Sequence, residues 1–188
     1  MRRSLDGGAT WEEMRTLLSL PGTGALGASL IDSVLVQDRS SGRVICLVDQ
    51  FPGGIGQPNA VVGTGFDELG RRVLHNRDGD LFAVEPDGSV LTASGEATDY
   101  RIVLSDDDAA GACAGDVLLG GRAAGSIYLA HEQAPEACLF QHRGSHLLMI
   151  TSDDDGATWS QPIDITAQVK ADWMCFLGTG PGNAIQLT

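Results

Sequence analysis

The sequence predicts an all-β protein in which a small β-rich segment interrupts a larger β framework. Three observations carry that prediction. Glycine supplies 25 of the 188 residues and proline 7, a usage that suits short strands joined by tight turns. Strand-like runs alternate with turn chemistry along almost the whole chain. One octapeptide also occurs twice, "SLDGGATW" at 4–11 and "SDDDGATW" at 152–159, both fitting Ser-x-Asp-x-Gly-x-Thr-Trp.

Taken in order, "SLIDSVLVQ" and "RVICLVDQF" flank Asp38-Arg39-Ser40-Ser41-Gly42 and predict a hairpin. "RRVLHN", "DLFAVE" and "SVLTA", separated by Arg77-Asp78-Gly79 and Pro86-Asp87-Gly88, predict a meander. "DVLLGG" and "AGSIYLA" predict a further hairpin. "HLLMIT" and "TWSQPIDIT" flank the second octapeptide turn. Only "TAQVKADWM" carries a helical signal, about two turns with Thr166 as N-cap. The glycine-rich "GTGPGN" (178–183) reads as a turn before a strand at Ala184–Leu187, since a phosphate loop would need Lys-Ser/Thr or a following helix. The charged meander and the loop-like stretches "SGEATDY", "SDDDAAGACAG" and "HEQAPEAC" mark 67–142 as an inserted β-rich domain. It separates framework segments 1–66 and 143–188, each carrying one octapeptide.

Composition excludes several functions. A net charge of −13 argues against nucleic acid as a partner, because phosphate binding needs a basic face. No run of 18 apolar residues is present to span a membrane. The N-terminus "MRRSLDGGATWEEM" lacks the apolar core of a signal peptide, which leaves export open. Cys46, Cys113, Cys138 and Cys175 are far apart and contain no Cys-x-x-Cys pair, which argues against zinc. Cys113 and Cys138 are candidates to pair in an exported protein; buried free thiols are the reading preferred here. His75, His131, His142 and His146 share no metal-ligand spacing, and packing or surface roles are expected of them. No metal or cofactor is expected.

The octapeptide is legible as local architecture. Ser4 and Asp6, like Ser152 and Asp154, are placed to hydrogen-bond backbone groups two or three residues away. Gly8 and Gly156 supply the positive φ of a tight reversal. Trp11 and Trp159 are expected to bury a large apolar surface and fix the turn on its sheet. Asp153, Asp154 and Asp155 lack the 12-residue spacing and terminal Glu of an EF-hand, so a calcium loop is set aside.

These two turns resemble the Asp boxes of sialidases (neuraminidases), which lie at the outer turns of a six-bladed β-propeller. Further segments agree in order. "IDSVLVQDRSSGRVICLVDQFP" (31–52) and "GTGF" (63–66) resemble the second-blade region of bacterial sialidases of glycoside hydrolase family 33. "SDDDGATWSQPIDIT" followed by "VKADWMCFLGTGPGNAIQL" (169–187) resembles the next stretch of those enzymes. The resemblance implies a partial six-bladed propeller with the 67–142 domain inserted. It also implies a secreted or cell-surface enzyme, monomeric at full length, that acts on sialylated glycoconjugates.

In that family three arginines hold the sialic acid carboxylate, a Glu-assisted Tyr is the nucleophile, and an Asp is the acid/base. None of this set has a match in the chain. The family's Arg-Ile-Pro motif is absent, Arg101-Ile102-Val103 not being equivalent, and the only tyrosines, Tyr100 and Tyr128, fall in the insertion. Part of the pocket wall does carry over. Asp32 matches a carboxylate that hydrogen-bonds a sugar hydroxyl, and Phe51 an aromatic lining the N-acetyl pocket. Asn59 and Gln186 stand at matching positions near the site, while Gln57 replaces a second expected aromatic.

A six-bladed propeller of four-stranded blades takes roughly 250–300 residues, far more than the chain offers outside its insertion. The expectation is therefore a sialidase fragment of roughly one and a half to two blades that is inactive by itself. The competing reading, from a different class, is a non-catalytic carbohydrate-binding or Asp-box interaction module.

Overall fold

A computed structural model of the protein describes residues 1–105, 113–180, 182 and 184–187. In chain order the elements are β1 (Ser29–Gln37), β2 (Val44–Phe51), β3 (Val73–His75), β4 (Leu81–Val84), β5 (Ser89–Thr92), β6 (Ala97–Ile102), β7 (Asp116–Leu119), β8 (Arg122–Ser126), β9 (Phe140–Gln141), β10 (His146–Ser152), β11 (Ile163–Asp164) and one helical turn, α1 (Thr166–Val169). The chain is all-β, as its glycine-punctuated strand runs predict.

Two sheets result. The first has four antiparallel strands in the order β1-β2-β10-β11, the form of a propeller blade. Its central strands come from opposite sides of the β3–β9 segment. β2 pairs with β10 over seven positions, from His146↔Gln50 to Ser152↔Val44. β2 is flanked on both sides, so Cys46, Val48, Asp49, Gln50 and Phe51 are all buried. That explains why "RVICLVDQF" reads as a nearly continuous apolar run rather than an alternating one. The β1–β2 loop closes through Asp38 N–H to the Arg43 carbonyl (2.8 Å) and Gly42 N–H to the Asp38 carbonyl (2.7 Å).

The second sheet runs β8-β7-β6-β5-β4-β3-β9. It almost closes into a barrel: Gln141 N–H donates to the Ile127 carbonyl at 2.9 Å, and Ile127 N–H to the Gly115 carbonyl at 2.9 Å. Near-closure leaves little strand edge open to foreign pairing. The interior packs Leu74, Val84, Val90, Ile102, Val117 and Leu139, among others. The β7–β8 hairpin turns on Gly120 and Gly121, with φ of +55° and +76°, the backbone a two-residue I′ turn requires.

The N-terminal octapeptide segment lies against the blade. The Arg15 guanidinium donates to the Gly156 carbonyl at 2.8 Å and the Ala157 carbonyl at 2.7 Å, both in the second octapeptide. The residues flanking the first repeat therefore lie against the second, with Arg3 also reaching the Asp154 carbonyl at 3.5 Å. Barrel and blade are joined by Gly53 N–H to the Tyr128 carbonyl (2.8 Å) and by the Arg72–Asp164 ion pair (2.7 Å).

Several expectations are corrected. The helix is one turn, not two, and Thr166 is its first residue rather than its cap. The Thr166 hydroxyl instead accepts from Leu147 N–H at 2.8 Å, so the residue is recruited to the sheet. Ala184–Leu187 forms no strand. Cys113 and Cys138 are both free thiols; Cys138 is buried, whereas Cys113 and Cys175 are exposed, against the buried reading. Trp11 is 59% exposed and fixes no sheet. Pro181 and Asn183 of "GTGPGN", and 106–112 of the loop-like stretch, lie outside the described residues.

Candidate functional site

The blade has two chemically distinct ends. Gln37, Val44 and Ser152 stand at one, and Ser29, Phe51 and His146 at the other.

The first end holds the octapeptide turns, which repeat one hydrogen-bond pattern. In each, the serine hydroxyl donates to the aspartate Oδ1 (2.8 Å in both) and accepts from a glycine N–H, Gly8 at 2.7 Å and Gly156 at 2.8 Å. The same aspartate accepts the N–H and hydroxyl of the threonine four residues on: Thr10 at 2.9 and 2.6 Å, Thr158 at 2.8 and 2.7 Å. The Thr10 and Thr158 bonds favour the ionised carboxylates, holding Asp6 and Asp154 down at about 2. Their acceptor capacity goes to their own backbone and neighbours, which leaves little for a ligand. Among the described residues, no three His, Cys, Asp or Glu side chains are grouped to hold a metal ion.

The second end is built differently. β1 slips register between Ile31 and Val34, and within that bulge Asp32 adopts φ +52°. Left-handed backbone is uncommon for any residue but glycine, though aspartate tolerates it better than most. The Asp32 carboxylate is solvent-facing and has no hydrogen-bond or ion-pair partner among the described residues. Phe51, 1% exposed, stacks on Phe176 with ring planes 1° apart and centroids at 6.1 Å. Behind these lies Asp49, 0% exposed. Its Oδ1 accepts the Thr179 N–H at 2.7 Å and lies 3.1 Å from the Thr179 hydroxyl, while its Oδ2 has no partner among the described residues. Burial pushes the Asp49 carboxyl above its usual range; the Thr179 bonds pull it partly back, and the charge of Asp32 adds to the rise.

The predicted site residues are not all brought together. Asp32 and Phe51 share the second end. Asn59 is exposed, and its amide is engaged locally: Oδ1 accepts the Gly56 N–H at 2.8 Å and Nδ2 donates to the Gly54 carbonyl at 3.0 Å. Gln57 is exposed beside it. Gln186 sits at the first end, accepting the Arg39 N–H at 2.9 Å and donating to Asp38 Oδ1 at 3.0 Å. Asp38 and Asp32 are six strand residues apart, about 20 Å. A cleft of about 680 Å³ opens elsewhere, between residues 16–21 and barrel residues such as Ile102 and Tyr128, and touches none of the four.

A buried polar cluster lies along the barrel–blade seam. Asp164 Oδ2 is 2.7 Å from Arg72 Nη2 and 3.4 Å from His146 Nδ1. Burial pushes the Asp164 carboxyl up, but Arg72 and His146 outweigh it and hold the carboxyl well below its usual range. His146 Nε2 donates to the His142 carbonyl at 3.1 Å, the only role that acceptor leaves it. Burial, with His146 and the Lys170 ammonium nearby, pushes the His142 imidazole down to about 4. Lys170, the chain's only lysine, is 5% exposed and donates to the Ser145 and Cys175 carbonyls.

Sequence reasoning missed Asp49, Thr179 and Phe176. The available signal for Asp49 was a carboxylate inside the otherwise apolar "VICLVDQF"; Thr179 was hidden in a segment that reads as a plain turn.

No protein-family model matches the chain. Curated proteins do. The anhydrosialidase of the leech Macrobdella decora is 27% identical over 222 aligned positions, covering 99% of this chain and 29% of that protein. Sialidase B of Streptococcus pneumoniae is 37% identical over 82, covering 40% and 12%. Among solved structures, the leech intramolecular trans-sialidase complexed with 2,7-anhydro-Neu5Ac superposes with a TM-score of 0.74 at 22% identity, over 98% of this chain and 32% of that one. The chain thus spans under a third of the length of these relatives.

Proposed function

We propose, from the premise that this chain is a homologue of the sialidases, that it forms part of a sialidase propeller and supplies one wall of a sialic-acid site. In this reading Asp32 accepts a hydrogen bond from a sugar hydroxyl, and Phe51, backed by Phe176, lines the pocket for the N-acetyl group. The whole protein would release terminal sialic acid from glycoconjugates, with retention through a tyrosine-bound intermediate. The barrel of β3–β9 would be the inserted domain, with limits near 67 and 142.

The observation that carries this reading is the second end of the blade. A solvent-facing carboxylate with no partner among the described residues stands on a strand bulge, and a stacked aromatic pair lies at the same end of the sheet. An unpaired carboxylate accepts hydrogen bonds from neutral hydroxyls without desolvating a second charge. Asn59 and Gln186 are left outside the proposed wall, because their amides are engaged elsewhere.

The 188 residues contain no match to the arginine triad or the nucleophilic tyrosine, so the purified chain should release no methylumbelliferone from a sialoside reporter above a boiled control. Turnover well above that control would overturn this part of the reading. Binding is tested separately, by titrating N-acetylneuraminic acid against the labelled chain and following amide shifts. Shifts confined to the surroundings of Asp32 and Phe51 are expected, and their absence would remove the pocket-wall assignment.

A further inference from the structure

Asp32 does not hold its backbone conformation unaided. A non-glycine residue at φ +52° persists only where its surroundings over-determine it. The bulge supplies part of that constraint, since the register slip frees Asp32 from the β1–β2 ladder. The other part comes from a residue 147 positions away. The Thr179 hydroxyl donates to the Asp32 backbone carbonyl, reaching the peptide group that the bulge has released.

Thr179 is itself anchored. Its N–H donates to Asp49 Oδ1 at 2.7 Å, and its hydroxyl lies 3.1 Å from the same oxygen. Asp49 is fully buried on the central strand β2. The anchor is also shape-locked: a Cβ on Gly178 would sit 2.0 Å from Asp49 Oδ2 and 2.7 Å from Phe176 Cζ. Only glycine there lets the 178–179 backbone approach the carboxyl so closely. A buried carboxyl with one oxygen unpartnered is costly, and no ion pair offsets it among the described residues.

We infer that Asp49 and Thr179 are positioning residues: Thr179, held by the buried Asp49, fixes Asp32 in its left-handed conformation and so aims the Asp32 carboxylate at a hydroxyl-bearing ligand. The ligand half of this inference rests on the sialic-acid reading above; the positioning half stands on geometry alone. Asp49 and Thr179 touch the backbone behind the carboxylate, not the ligand.

The experiment uses the full chain, labelled with 15N and 13C, and four substitutions. Two quantities are read: the Asp32 HN–Hα coupling and amide shift, which report its φ, and the shift titration with N-acetylneuraminic acid. Thr179→Ser keeps the hydroxyl and should preserve both. Thr179→Val keeps the shape but loses the donor; it should move Asp32 toward the coupling of extended strand and weaken binding about tenfold, the scale of one lost hydrogen bond. Asp49→Asn, a second route if the valine variant does not fold, should move Asp32 the same way by less. Asp32→Asn should weaken binding while the remaining spectrum stays in place. If Thr179→Val and Asp49→Asn both leave the Asp32 coupling and shift unchanged, the positioning role is wrong. If they move Asp32 but Asp32→Asn leaves binding unchanged, the positioning role stands and the hydroxyl-binding role falls.

Discussion

The Asp164 carboxylate lies 2.7 Å from the Arg72 guanidinium, with side-chain exposures of 8% and 17%, and this pair ties the blade's last strand to the chain entering the barrel. Removing one partner of a buried pair leaves an uncompensated charge in a poorly solvated site, which typically costs about 3–5 kcal/mol. Asp164→Asn should therefore destabilise the protein by about 3 kcal/mol in urea unfolding. Replacing both partners with apolar residues of similar volume should cost less than the single change. A single variant as stable as the parent would show that the pair is not what joins the two sheets.

Stability should fall on mild acidification. His142 is held down to about 4 in the folded protein, below the ordinary histidine value of about 6.5. The unfolded chain therefore binds the proton first, so this contribution is complete above pH 6.5 and is lost as pH falls toward 4. The loss reaches at most about 3 kcal/mol. His131, pushed down by burial and by His75, acts in the same direction. Asp164, held low, loses its contribution only in stronger acid. Urea unfolding at several pH values between 7.5 and 4.5 should show the slope, and His142→Gln should reduce it. A slope left unchanged by His142→Gln would refute the assignment.

The two octapeptide turns should differ in importance although their hydrogen bonds match. The second has buried Ser152 and Gly156 and receives the Arg15 guanidinium; in the first, Ser4 is half-buried and the rest is exposed. Asp154→Ala should lower the melting temperature clearly more than Asp6→Ala. Equal effects would show that the network acts locally and not through the sheet.

Gly178→Ala should be costly. The new methyl would lie 2.0 Å from Asp49 Oδ2 and 2.6 Å from its Cγ, so the Thr179–Asp49 bond must open or the strand must shift. Overpacking of this kind costs about 1–3 kcal/mol. Calorimetry of this variant beside Gly180→Ala, where the space is open, separates the clash from a general backbone effect.

Much of the framework was legible because turn chemistry acts over two to four residues. The Asp38–Arg43 loop, the Gly120-Gly121 hairpin and both octapeptides each contain the donors, acceptors and glycines that close them. Thr166 misled for the same reason, offering the features of a helix cap while its hydroxyl was taken by Leu147, nineteen residues back. Trp11 misled because an aromatic residue buries only where another surface arrives to cover it, and here it stays 59% exposed. Of the proposed wall, Asp32 and Phe51 were legible, while Asp49, Thr179 and Phe176 were not.

By itself the sequence determined the all-β class, the turns, the paired octapeptides and the charge that argues against nucleic acid, all of which follow from composition and short-range hydrogen bonding. The tertiary structure alone decided that β2 pairs with β10 across the seven strands between them, that Arg72 meets Asp164, and that Thr179 reaches the carbonyl of Asp32. Those contacts join residues roughly 90 to 150 positions apart. Their loop-closure entropy is met by burying two sheets together, not by any property of the residues that touch.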